Sequence, residues 1–143
     1  MAVNISATRD AVASMLANLV GRVELAATGD LSFPFESTRI FINVRQFGDN
    51  SAVVNVFAIT NVDLEPSPQL YEFVATHSGD WVMGHLALDV TDGRGTLVLR
   101  HTLLADYLDE PELSNAVRAI AFTADEIDNE LKAKFGGRLA SEV

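Results

Sequence analysis

Residues 84–137 read GHLALDVTDGRGTLVLRHTLLADYLDEPELSNAVRAIAFTADEIDNELKAKFGG, and this stretch decides the fold. In its first arm Leu86, Leu88 and Val90 alternate with His85, Ala87 and Asp89. In the second, Leu97, Leu99, His101 and Leu103 share one face, and Val98, Arg100 and Thr102 take the other. A period of two on both arms, with Asp92-Gly93 and Gly95 between them, predicts a β-hairpin. The chain then changes period. Leu113, Val117, Ile120, Ala124, Ile127, Leu131 and Phe135 recur at steps of about four and three, the stripe of an amphipathic helix.

The ends of that helix are written in the sequence. Asp109 is placed to cap it, with Glu112 as reciprocal partner and Pro111 in the first turn, where no N–H is missed. Gly136-Gly137 stops it, since glycine enters the left-handed region without a Cβ penalty. Asp128–Lys132 and Glu130–Lys134 are expected as i,i+4 pairs worth ~0.3 kcal/mol each. The apolar stripe is expected to cover the apolar face of the hairpin, with Leu131 buried.

Working outward, the first helix is expected from about Ser6 to Val20, with Val12, Leu16, Leu19 and Val23 on one face. LSFPF follows as a short strand. Pro34 cannot donate to a ladder, so this strand should lie at an edge. RIFINVRQF and AVVNVFAIT form the next two strands around Gly48-Asp49-Asn50. Ile40, Ile42 and Val44 face one way with Val54, Val56 and Ala58. The reverse faces mix Phe41, Phe47, Val53, Phe57 and Ile59 with Asn43, Arg45 and Asn55. A sheet wet on one side alternates more cleanly than this. The mixed face is expected to be covered by the middle helix, by another subunit or by a ligand. Ser67-Pro68 opens that middle helix, and Ser78-Gly79-Asp80 closes it. The expectation is an α+β fold in the order α-β-β-β-α-β-β-α, a twisted five-stranded antiparallel sheet with the first and last helices on one face. It forms a single domain, residues 1–143.

Composition narrows the function. The 143 residues carry a formal net charge of −10, which repels nucleic acid and anionic membrane and attracts lysine or arginine in a partner. Without cysteine, disulfides, thiolate nucleophiles and thiolate metal sites are excluded. The N-terminus lacks a basic leader, and Arg9, Asp10 and Asn18 interrupt its apolar run. Neither a signal peptide nor membrane insertion is expected, and cytoplasmic residence is the default.

No catalytic pattern emerges. His77, His85 and His101 lack metal-ligand spacing, and His101 falls on the inward strand face, where a hydrogen-bonded core histidine is the simpler reading. Asp89 to Gly93 lacks the ligand steps of a calcium loop. The acidic run Asp125, Glu126, Asp128, Glu130 reads as a solvated helix face. No metal, cofactor or catalytic residue is assigned.

Three segments, GDLSFPFESTRIFINV, GHLALDVTDGRGTLVLRHTLL and TADEIDNELKAKFGG, make nearly the whole chain similar to the YbjN-like and type III secretion chaperone-like family. The resemblance implies a twisted antiparallel sheet with flanking helices, a homodimer, no cofactor and no catalytic residues. In the chaperone branch it implies that a client protein's unfolded segment is held along apolar grooves and strand edges. The expected function is non-catalytic peptide binding, by strand addition at an edge with Phe41, Phe57 and Trp81 as anchors. The alternative is an adaptor that binds one folded partner, and a small-molecule enzyme stands third.

Overall fold

The computed structural model describes residues 3–143, and among them the chain forms three α-helices, seven strands and a terminal 3-10 turn. Helix α1 (Ile5–Val20) starts at Asn4, whose side chain accepts from the Ala7 N–H. Strands β1 (Glu24–Leu25), β2 (Leu31–Phe35), β3 (Thr38–Phe47) and β4 (Ser51–Leu64) follow. Helix α2 (Pro68–His77) opens on Ser67, whose Oγ accepts from the Leu70 N–H at 3.1 Å. Strands β5 (His85–Thr91) and β6 (Arg94–Leu104) are joined by Asp92-Gly93, with φ of 52° and 73°. Positive φ at both positions is what a two-residue turn between right-twisted strands requires. Helix α3 (Glu110–Phe135) is capped by Asp109, which accepts from the Glu112 N–H at 2.8 Å. The short β7 (Arg138–Leu139) and a 3-10 turn (Ala140–Glu142) close the chain.

All strands pair antiparallel in one sheet of order β1-β2-β3-β4-β6-β5, with β7 also beside β4. Helices α1, α2 and α3 pack on the same side. Val12 and Leu16, Leu70, and Leu113, Val117, Ile120, Ala124 and Leu131 join one core with Ile40, Ile42, Val44, Val54, Val56, Leu97 and Leu99. At about 25 cal/mol per Å2 of apolar surface, this one-sided burial is the main favourable contribution to folding.

The sheet therefore has seven strands, not the expected five, and the element order gains a strand after α1 and another after α3. Both additions are two residues long, too short for a period of two to register. Tertiary contacts make them. β1 folds back on β2, with Glu24 opposite Ser32 and Leu25 opposite Leu31, and β7 docks against Asn61 and Val62 of β4. The approach of β7 needs glycine: a Cβ on Gly137, at φ 75°, would lie 2.4 Å from the Val62 carbonyl oxygen.

Three other expectations change. β2 lies one place in from the edge, yet Pro34 still faces a free margin, because β1 pairs only as far as Ser32. The Asp30 carbonyl accepts from the Ala26 N–H, so by alternation Ser32 and Pro34 also point their backbone groups outward. The missing donor then falls at the uncovered end of β2, where it blunts strand addition. The middle helix does not cover the mixed face, since Leu70 is buried with the core on the opposite side. The i,i+4 pair Glu130–Lys134 forms at 3.0 Å, but Asp128 is fully buried, and Lys132 instead bonds Glu142.

Candidate peptide-binding surface

None of the three α-helices covers the outward face of the sheet, because each turns its buried residues to the inward side. On the outward face strand register builds rows across the sheet. One runs Ser32, Phe41, Phe57, Arg100, His85. Phe41 and Phe57 stack with centroids 5.2 Å apart and planes 14° from parallel, both half-buried. Arg100, next in the row, donates from Nε to His85 Nε2 at 3.1 Å. Burial first, then the charge of Arg100 and that of His101, lowers the His85 pKa, which keeps it the neutral acceptor of this bond.

The adjacent row is polar and internally bonded. Asn55 donates to Asn43 Oδ1, and Thr102 donates to Asn55 Oδ1, both at 2.8 Å. Beyond it Arg45, Val53 and Leu104 lie across three strands, with Leu104 58% exposed and Phe47 59% exposed near the end of β3. The face is thus an aromatic pair and aliphatic groups separated by a hydrogen-bonded amide row. Side chains of both kinds along an extended segment would find partners here.

Trp81 is not part of this surface. It is half-buried on the helical side, beside Phe73, Ile127 and Leu131, at a cavity of about 280 Å3 between α2 and α3. Of the three residues expected from the sequence, the fold brings Phe41 and Phe57 together and leaves Trp81 on the opposite side. A second concavity, of about 290 Å3, lies between α1, β2 and α3, lined by Leu19, Val20, Phe33, Phe35, Ala121 and Phe122. Phe122 is 61% exposed and packs edge-on to Phe35. Phe122 lies just off the helix stripe, so the stripe does not mark it as part of this concavity.

The histidines have structural partners. His101 is half-buried and its Nδ1 accepts from the Gly84 N–H at 3.2 Å, as expected of a hydrogen-bonded core histidine. His77 lies 2.8 Å from Asp80 and 4.4 Å from the Phe73 ring. No helix among the described residues is long and apolar enough to cross a membrane.

Residues 6–143 match the family described as type III secretion (YopN, CesT) and YbjN peptide-binding chaperone 1. Among solved structures, YbjN from E. coli is similar at a TM-score of 0.68 and 15% identity, covering 89% of this chain and 93% of its own. The Yersinia pestis type III secretion chaperone SycH, solved in complex with a stable fragment of YscM2, is similar at a TM-score of 0.53 and 14% identity. That match covers 85% of this chain and 97% of SycH. No curated protein matches the sequence. The chain belongs to the type III secretion and YbjN peptide-binding chaperone family.

Proposed function

We propose that this member of the family holds an extended segment of a client protein against the outward sheet face, with Phe41 and Phe57 as the anchors. The observation that carries the reading is the stacked phenylalanine pair on a face that none of the three α-helices covers. Aromatic anchors concentrate binding energy where water is excluded around them. The action is binding without catalysis, in the cytoplasm. Strand addition at the β2 margin is disfavoured by Pro34, so side-chain contacts to the face carry the affinity there.

Short synthetic peptides that alternate apolar and polar residues test this by titration against the wild type, Phe57→Ser and Phe122→Ser. Each variant's fold is checked by circular dichroism. Phe57→Ser is expected to weaken binding tenfold or more, about 1.4 kcal/mol. Loss in Phe122→Ser with normal binding in Phe57→Ser would move the site to the groove between α1, β2 and α3.

The proposal includes a homodimer, built on the α2 side. Tyr71 is 49% exposed, Val82 is fully exposed, and Val90 on the neighbouring edge strand is 43% exposed. Helix α2 and Val90 lie on the inward side of the sheet, opposite the outward face, so a dimer joined at α2 leaves the client face free. Light scattering at tens of micromolar should give twice the chain mass. A strict monomer there removes the dimer and leaves the client site standing.

A further inference from the structure

The chain is acidic overall, but its outward sheet face is not. By alternation along the strands, Arg39, Arg45, Arg94, Arg100 and Arg138 occupy outward positions, against Glu24 and Asp89, and Arg138 is paired with Asp63. Arg39 pairs with Glu24, and Arg45 lies 3.6 Å from Asp30, just ahead of β2. Asp89, towards the far end of the face, accepts from Thr91. Among the described residues Arg94 and Arg100 hold no carboxylate. Arg94 stands beside the hairpin turn, away from the aromatic pair. Arg100 is the one that matters for the site: it is exposed, it directly follows Phe57 in the row, and its Nε is committed to His85. That bond fixes the guanidinium plane and leaves its terminal N–H groups free.

We infer that the outward face selects a client segment that alternates carboxylates with apolar residues, with Arg100 as the residue that sets this charge preference. The inference rests on the outward-face reading above. Screening decides between the local and the global charge. Exposed charges more than about 8–10 Å apart are largely screened at physiological salt, so a seated segment senses Arg100 more than the distant carboxylates of the helical side. A guanidinium also offers paired donors to a carboxylate, which a lysine in the client cannot use. A lysine-bearing segment, favoured by the net charge alone, would instead place like charges together. A second copy packed face to face about a two-fold axis would oppose arginine-bearing faces, and this disfavours self-association here.

The test uses two synthetic peptides, one alternating phenylalanine and valine with glutamate, the other with lysine in place of glutamate. Each is titrated into the full chain at low and high salt. Wild type is expected to prefer the glutamate peptide about fivefold at low salt, with the preference shrinking at high salt. Arg100→Glu should invert the preference, and Arg100→Gln should abolish it. Phe57→Ser should weaken both peptides alike. If Phe57→Ser weakens both but Arg100→Glu leaves the preference unchanged, the charge assignment is overturned and the site reading survives. If Phe57→Ser binds both as wild type does, the site itself is misplaced. Tighter binding of a single-stranded oligouridylate than of the glutamate peptide, lost in Arg100→Glu, would overturn the peptide assignment in favour of nucleic acid.

Discussion

Leu131→Ala is expected to lower the unfolding free energy by about 2–5 kcal/mol, the range for truncating a buried leucine. Leu131 is 2% exposed and belongs to the single core beneath the sheet. It also lines the cavity that Phe73, Trp81 and Ile127 share, so the space left by truncation adds to one already present. The control is Glu130→Gln, one residue away on the same helix. It removes an exposed pair with Lys134 worth about 0.3–0.5 kcal/mol. Urea melts of the two variants should differ in midpoint with equal slopes. A Leu131→Ala loss below half a kcal/mol would mean that this part of α3 does not seal the sheet as the structure places it.

Those two residues mark where the sequence was informative. The helix stripe that names Leu131 also names Leu113, Val117, Ile120 and Ala124, and all are buried. The hairpin turn at Asp92-Gly93 and the caps at Ser67 and Asp109 follow from local chemistry, and local chemistry is written in order along the chain. β1 and β7 were not legible, because a two-residue strand exists only through its partner. The outward placement of Phe41 and Phe57 was legible from alternation, but their isolation from all three helices was not. That depended on α2 joining α1 and α3 on the same side through Leu70. Trp81 sits in a connection with no period, so its side of the sheet could not be assigned. Asp128 is the instructive miss. Steps from Ala124 to Asp128 to Leu131 keep the helix phase, but an aspartate among carboxylates was read as solvated.

Asp128→Asn is expected to stabilise the protein by about 1–3 kcal/mol above neutral pH and to have little effect in acid. The Asp128 side chain is fully buried, and Ser37 Oγ lies 2.5 Å from its Oδ2 and 2.6 Å from Asp125 Oδ1. One hydroxyl proton cannot serve both carboxylates. With a proton on Asp128, however, its O–H donates to Ser37 Oγ, and the Ser37 hydroxyl donates onward to Asp125, which also accepts from the Ser37 N–H. Burial raises the Asp128 pKa and the Asp125 charge adds to it, outweighing the opposing hydrogen bonds from Ser37 and the Asn129 backbone. A bulge in β4 completes the setting. It turns Asn61 inward, where its Nδ2 donates to the Asp128 carbonyl at 3.1 Å. Because the folded pKa lies above the ordinary carboxylate value, the stabilising proton is fully present below that value. It is lost as pH rises through the folded one. Asparagine presents an N–H donor toward Ser37 at every pH, so the variant should escape that loss. Denaturant melts across a pH series would show wild type falling away from Asp128→Asn as pH increases. A constant difference at all pH values would mean that folding leaves the Asp128 pKa unshifted, and a wild type that gains on the variant as pH rises would mean that Asp128 is charged in the fold and held by partners other than Ser37.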